Sequence, residues 1–362
     1  PHFYWVSSSS PQGFAFMARR IGFIARWSQY FAIRMVGFLM AIGHVDEVLR
    51  LLGGIGRAGY RLVPKHRRRI MENLAHAMPE LSQAARVQIA KGAFEHLIKL
   101  AGELVVTPSL LRTDTWSRYV RLGDLGRALE YLNTGKPAIV VTGHVGNWEL
   151  LGFTKALLGY PVDAIARPID NPLIDRWVKD VREQRGLRII DKRGSNFQMT
   201  RVLKASGILG FVADQDSGRR GIFVPYFNRL ASTSRSIATL ATKRDVPVIC
   251  GMCRRTGEGF QHEISVVDII RPQDWHSQPD PVYYLTARYT RAIETMVRRC
   301  PEQYLWMHRR WKNRPVWEER GEPMPDDFRR KLESLPWMTG ELMNQLQMPL
   351  VGDPDSPRGG TA

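Results

Sequence analysis

The stretch GHVGNWEL, residues 143 to 150, sets an imidazole and a carboxylate five positions apart at the end of the apolar run PAIVVT. A carboxylate on one ring nitrogen of a histidine fixes the tautomer and steadies the imidazolium, so the other nitrogen can take a proton from a hydroxyl. On one continuous helix, residues five apart lie about 140° around the axis. His144 and Glu149 can therefore meet only if His144 sits on a turn ahead of the helix. Gly143 and Gly146 permit that turn, and the spacing predicts a helix opening between Val145 and Asn147, with Glu149 in its first turn reaching back to the ring. A plain helix start fits the same residues, with His144 capping and Glu149 favouring the positive end. No G-x-S-x-G occurs and no cysteine or third acid stands at a telling spacing, which favours direct attack by a substrate hydroxyl over a covalent acyl-enzyme.

The elements that must position these groups follow from about residue 137. PAIVVTG, PVDAIAR, LRIID and GILGFVAD read as strands, alternating with helices at VGNWELLGFTKALLG, NPLIDRWVKDVREQRG and NFQMTRVLKAS. A loop, a helix at STSRSIATLATKRD and the strands VPVICGMCRR and FQHEISVVDII come next, then a helix of about twenty residues from Pro281. This order predicts an α/β fold: a mainly parallel central sheet with helices on both faces, an antiparallel last pair, and amphipathic amino-terminal helices in front. Three regions are expected: a flexible start and membrane-associating helical segment over 1–52, the α/β domain over 53–320, and a helix with a flexible tail over 321–362. Ligands of such sheets bind beyond the carboxyl ends of the strands. His144, Arg167 and Asp214 all fall at predicted ends of that kind.

The net charge of +17, from 52 Lys and Arg against 35 Asp and Glu, favours an anionic partner such as nucleic acid, an acidic carrier protein or a lipid headgroup surface. Zinc-finger spacing, an RNA-binding sheet motif and a clear helix-turn-helix are all missing from the sequence, which sets nucleic acid aside. Arg19, Arg26 and Arg34, spaced by seven and eight, share one helical face opposite many Phe, Ile and Met side chains. That pattern suits a helix lying in a membrane interface, an amphipathic helix packed on the domain, or a tilted span with snorkelling arginines. Lys65, Arg67, Arg68 and Arg69 open a following helix and suit anionic headgroups or a solvated face. Cys250 and Cys253 form a C-x-x-C, but on a strand positions three apart face opposite ways, so they read as core residues and no metal is expected.

Four blocks in order, GHVGNWEL, ARPIDNPLIDRWVKDVREQRG, FVADQDSGRRGIFVPYFNRLASTS and PEQYLWMHRRWK, with the lead-in YRLVPKHRRRIMENLAHAMPEL, resemble the bacterial lipid A biosynthesis acyltransferases within the glycerolipid acyltransferase group. The resemblance covers about residues 50 to 320. It implies transfer of a fatty acyl chain from an acyl carrier protein thioester, or less often acyl-CoA, to a hydroxyl of a lipid A precursor or related glycolipid. The place implied is the cytoplasmic face of the inner membrane, with the thioester as co-substrate, no other cofactor, and anionic membrane lipids as partners. In the family's H-x4-D/E motif, His144 becomes the general base and Glu149 its orienting partner, with Asn147 beside them as a substrate-binding candidate. Arg167 becomes a candidate for stabilising an oxyanion or a donor phosphate, or else a structural ion pair. Asp214, Gln215 and Asp216, with Arg219 and Arg220, are implied to shape the pocket and bind an anionic acceptor, turn-capping being the structural alternative. His308, Arg309 and Arg310 are implied to meet a phosphate or the acidic carrier, solvation being theirs. A thioesterase using the same site, or a different lipid acceptor, is the alternative reading.

Overall fold

The computed structural model describes residues 22–166, 169–183, 187–191 and 195–347. Four helices come first: α1 (Phe23–Ile42), α2 (Val45–Leu62), α3 (Pro64–Ala77) and α4 (Gln83–Leu110). Then follow β1 (Val120–Leu122), α5 (Gly126–Leu132), β2 (Ala138–Thr142), α6 (Trp148–Leu157), β3 (Val162–Ala166), α7 (Pro172–Glu183), β4 (Leu187–Asp191), α8 (Ser195–Lys204) and β5 (Ile208–Val212). A hairpin of β6 (Ile222–Tyr226) and β7 (Arg229–Thr233) leads to α9 (Ser236–Arg244), β8 (Val248–Arg255) and β9 (His262–Ile270). The remaining helices are α10 (Pro272–His276), α11 (Pro281–Arg299), α12 (Val316–Glu319), α13 (Asp326–Glu333) and α14 (Gly340–Gln347).

Seven strands form one sheet in the order β1-β9-β8-β2-β5-β3-β4. Every pair is parallel except β8 with β9, as the strand and helix alternation predicts. Side chains alternate across the sheet. Ile139, Val141 and Leu209 join a core with α8, α9 and α11, while Ala138, Val140 and Ile208 face the other way with α5. Cys250 and Cys253 are both buried and fall in different cores, the opposite-face placement expected of a strand.

The segment after β5 differs from the expected loop. Ile222 to Thr233 pair as an antiparallel hairpin, and α9 starts at Ser236 because Ser232 and Thr233 are buried strand residues. Leu332, Leu335, Met343 and Leu346 pack α13 and α14 onto the main core.

On α1, Phe23, Trp27, Phe31, Met35 and Phe38 form an exposed stripe at helical spacing, and Leu51, Ile55 and Leu62 add exposed apolar side chains on α2. Arg34 is exposed, whereas Arg26 is partly buried; Arg19 lies outside the described residues. Asn171, at the start of α7, donates to the Arg26 carbonyl (3.0 Å) and to Gln29 (3.1 Å), which seats α1 against α7. No described helix is long and apolar enough to cross a membrane.

Glu103 on α4 ties the helical layer to the sheet. Fully buried, it accepts from Arg255 Nε (2.6 Å) at the end of β8 and from Asn147 Nδ2 (2.8 Å), with His262 Nε2 at 3.4 Å. Burial would raise its pKa, but Arg255 and His262 outweigh that and hold the carboxyl well below its usual range. Removing one partner of such a pair strands the other charge in the core. Glu103→Ala should therefore cost about 3–5 kcal/mol in urea unfolding; a loss under about 1 kcal/mol, the value of an exposed pair, would contradict this role.

Candidate active site

The parallel register sets Thr142, the last residue of β2, opposite Val212, the last of β5. Two residues beyond each stand His144 and Asp214, so the backbone brings them together at the sheet's carboxyl edge. Asp214 Oδ2 accepts the His144 backbone N–H at 2.9 Å, and Oδ1 accepts from Nδ1 at 2.6 Å. With Nδ1–H committed, Nε2 carries the lone pair and is the basic nitrogen.

Glu149 does not take that place. It lies in the first turn of α6, as the spacing predicts, but its carboxylate is engaged by Arg182, Nε to Oε2 at 2.8 Å and Nη2 to Oε1 at 2.5 Å, and by Trp148 Nε1 at 3.2 Å. The acid that orients the ring comes from the neighbouring strand end. Glu149 acts on His144 only through its charge. Burial alone would depress the imidazole, but the Asp214 charge and hydrogen bond outweigh it, so His144 titrates above its ordinary value. Burial likewise works to raise Asp214, and the imidazolium overrides it, holding the carboxyl well below its usual range.

The turn before α6 is held from several sides. Gly146 N–H donates to Gln303 O (2.9 Å), Asn147 N–H to Cys253 O (2.6 Å), and Leu305 N–H to His144 O (3.0 Å). Gly146 has φ +61°, and a Cβ there would collide with the Cys253 carbonyl, so glycine is required. His96 Nε2 donates to Gly146 O (3.1 Å), and its Nδ1 meets Arg255 Nη1 at 3.2 Å. Burial, then Arg255, pushes His96 down to about 3, so the ring is neutral and can accept from the guanidinium.

Several predicted binding residues serve this framework instead. Asn147, 1% exposed, caps α6 through Leu150 N–H (2.8 Å) and donates to Glu103. Asp216 accepts from Gly218 N–H (3.1 Å) and Asn313 Nδ2 (2.5 Å), the turn-capping alternative. Arg310 is 2% exposed: its guanidinium donates to Ser232 O (2.5 Å) and Thr233 Oγ1 (2.6 Å) and lies over the Tyr226 ring, so it cannot reach a phosphate in solvent. Arg219 and Arg220 are exposed, Arg219 pairing with Glu319 at 3.3 Å. Arg309 is exposed as well. Arg167 lies outside the described residues.

Gln215 and His308 do reach the base. Gln215 Nε2 stands 3.5 Å from His144 Nε2 and 3.3 Å from His308 Nε2, and the two imidazoles pack at 4.9 Å. Burial and the neighbouring His144 push His308 down to about 4, so it is a neutral ring, not the positive group expected. Trp148 closes the other side of His144, ring centroids 4.9 Å apart. From this point a cavity of about 480 Å³ runs inward between α6 and the sheet, walled by Val140, Leu151, Val162, Ala164 and Ile189. Its size is that of a small-molecule site, and its lining joins these aliphatic side chains to polar groups, among them His144, Glu149, Arg182, Gln215 and Lys155.

The sequence matches the family model described as bacterial lipid A biosynthesis acyltransferase over residues 19–313. The lipid A biosynthesis lauroyltransferase of Escherichia coli K12 is 26% identical over 295 residues, covering 80% of this chain and 92% of that protein. The palmitoleoyltransferase of the same organism is 29% identical over 210 residues, 57% of this chain and 65% of its own. A lipid A biosynthesis acyltransferase of Haemophilus influenzae is 25% identical over 307 residues, again 80% and 92%.

Asp214 is depressed and His144 raised, so their pairing stabilises the fold fully between about pH 4 and 6.5. It fades below that window as Asp214 protonates, and above it as His144 loses its proton. Asp214→Asn leaves burial opposed only by the weaker Glu149 charge. In an NMR pH titration, His144 should move from above 6.5 in the wild type to below it in this variant, with His308 near 4 in the wild type; an unmoved His144 would mean that Asp214 does not set its basicity.

Proposed function

Since this chain belongs to the bacterial lipid A biosynthesis acyltransferases and is an enzyme that transfers acyl groups, we propose that it moves a fatty acyl chain from a carrier thioester to a hydroxyl of a lipid A precursor. The observation that carries this reading is the His144–Asp214 pair opening on an apolar cavity. The acyl chain enters the cavity and leaves its thioester carbonyl at the mouth. His144 Nε2 takes the proton of the acceptor hydroxyl as its oxygen attacks that carbonyl. Asp214 holds the ring and offsets the imidazolium charge. The C–S bond then breaks, and the imidazolium returns its proton to the departing thiolate. The Gln215 amide, on the rim beside Nε2, can donate to the carbonyl oxygen as it becomes an oxyanion. Arg167 remains the further candidate for that charge. The donor is an acyl carrier protein or CoA thioester; a chain of net charge +17 suits an acidic carrier and anionic lipids alike.

The exposed stripe on α1 and its neighbours on α2 support association with the cytoplasmic face of the inner membrane. Aromatic and aliphatic side chains there can enter the headgroup region while the helix stays in the interface.

With a purified lipid A precursor and an acyl carrier protein thioester, mass spectrometry should show the acceptor heavier by one acyl group. His144→Ala should reduce transfer about 10²- to 10⁴-fold; near-normal turnover would remove the base from the mechanism. Free fatty acid as the sole product, with or without acceptor, would make the enzyme a thioesterase. Phe31→Asp with Phe38→Asp should release the protein from anionic vesicles in a sedimentation assay while leaving its circular dichroism unchanged, and undiminished binding would overturn the interfacial role of α1.

A further inference from the structure

The cavity is lined on one side by the sheet and on the other by α6. On its sheet wall, Thr142 and Val140 of β2, Gly210 of β5, and Ala164 and Val162 of β3 lie two apart along their strands and share one face. On the facing helix, Leu151, Gly152 and Lys155 share one stripe. Val162 opens β3, four residues before Ala166, so the slot reaches about 13 Å behind the strand ends at about 3.3 Å per residue. Lys155 is seven residues past Trp148, about 10 Å along the helix. Helix and strands thus place Lys155 at the inner end.

Small residues keep the bore between mouth and end. A Cβ on Gly210 would come within 2.9 Å of Val162 Cγ1, and one on Gly152 within 3.3 Å of Leu187 Cδ1. At Lys155 the lining changes character. Its amine has no hydrogen-bond or ion-pair partner among the described residues, although carboxylates elsewhere in the molecule are paired. Burial lowers it to about 7. An amine in this position costs free energy that an apolar side chain would not, and no hydrogen bond or ion pair among the described residues compensates for it.

We propose that Lys155 is a specificity-determining residue, closing the inner end of the acyl slot and limiting the length of chain the enzyme accepts; this rests on the acyl-transfer reading above. An alkyl terminus arriving beside the amine strips its remaining water without offering a hydrogen bond. A chain that ends short of Lys155 leaves the amine hydrated. One that is longer must displace the side chain or force it neutral.

The test is competition among saturated acyl carrier protein thioesters of graded length, supplied together in equal amounts with lipid A precursor. Products are resolved by mass spectrometry, and the readout is the ratio of longer to shorter products, independent of total turnover. Lys155→Ala should raise that ratio about tenfold or more, the discrimination that one methylene gives in an apolar pocket. Lys155→Met, which keeps a flexible stem without the amine, should shift it in the same direction by less, and it stands in if the alanine variant does not fold. An unchanged ratio in a folded, active variant overturns the assignment of Lys155 alone. Absence of transfer of any chain by the wild type overturns the acyl-transfer reading instead, and this inference with it.

Discussion

Parallel pairing of β2 with β5, in the register that sets Thr142 against Val212, is the constraint from which the catalytic edge follows. Two strands that end level carry their next residues into the same space. Gly143 leaves room for Ile293 of α11, whose Cγ2 would lie 2.7 Å from a Cβ there. The Asp214 carboxylate can then bind both the backbone N–H and the ring of His144. One group thereby fixes the position of the turn and the tautomer of the base. A shift of the register by a single residue would separate them, because alternate positions on a strand face opposite ways.

Behind that contact, the turn is gripped by backbone from β8, from residues 303 to 305 and, through His96, from α4. Glu103, Arg255, His262 and Asn147 form a buried polar cluster under it. Such clusters are costly when half satisfied, and they hold one arrangement when complete. The site therefore rests on rigid elements. The parts that face the cavity and its mouth include Nε2 of His144, the amide of Gln215, Lys155 and the aliphatic walls, with the ring of His308 beside them.

The outer surface fits the same division. α1 presents its aromatic stripe to solvent and, through Asn171, is seated at the start of α7, whose Arg182 lines the cavity and grips Glu149. Glu149 then has two consequences. It anchors α6 to α7 across the mouth, and it adds negative potential that favours the imidazolium.

Whatever depended on local periodicity was legible without coordinates. The parallel sheet, the placement of His144 ahead of α6 and Glu149 within it, and the opposite-face burial of Cys250 and Cys253 all follow from spacings of two and 3.6 residues, which backbone geometry imposes. The order of strands does not follow from spacing. It alone made Asp214, seventy positions away, the partner of His144, and left Glu149 to Arg182. The matching offset of two residues past each strand was visible; that the strands were neighbours was not. Arg310 illustrates the same limit, since a basic triplet reads as solvated surface until a hairpin folds over it and takes its donors. Which charge meets which is decided by distance through space, and only the packed sheet supplies it.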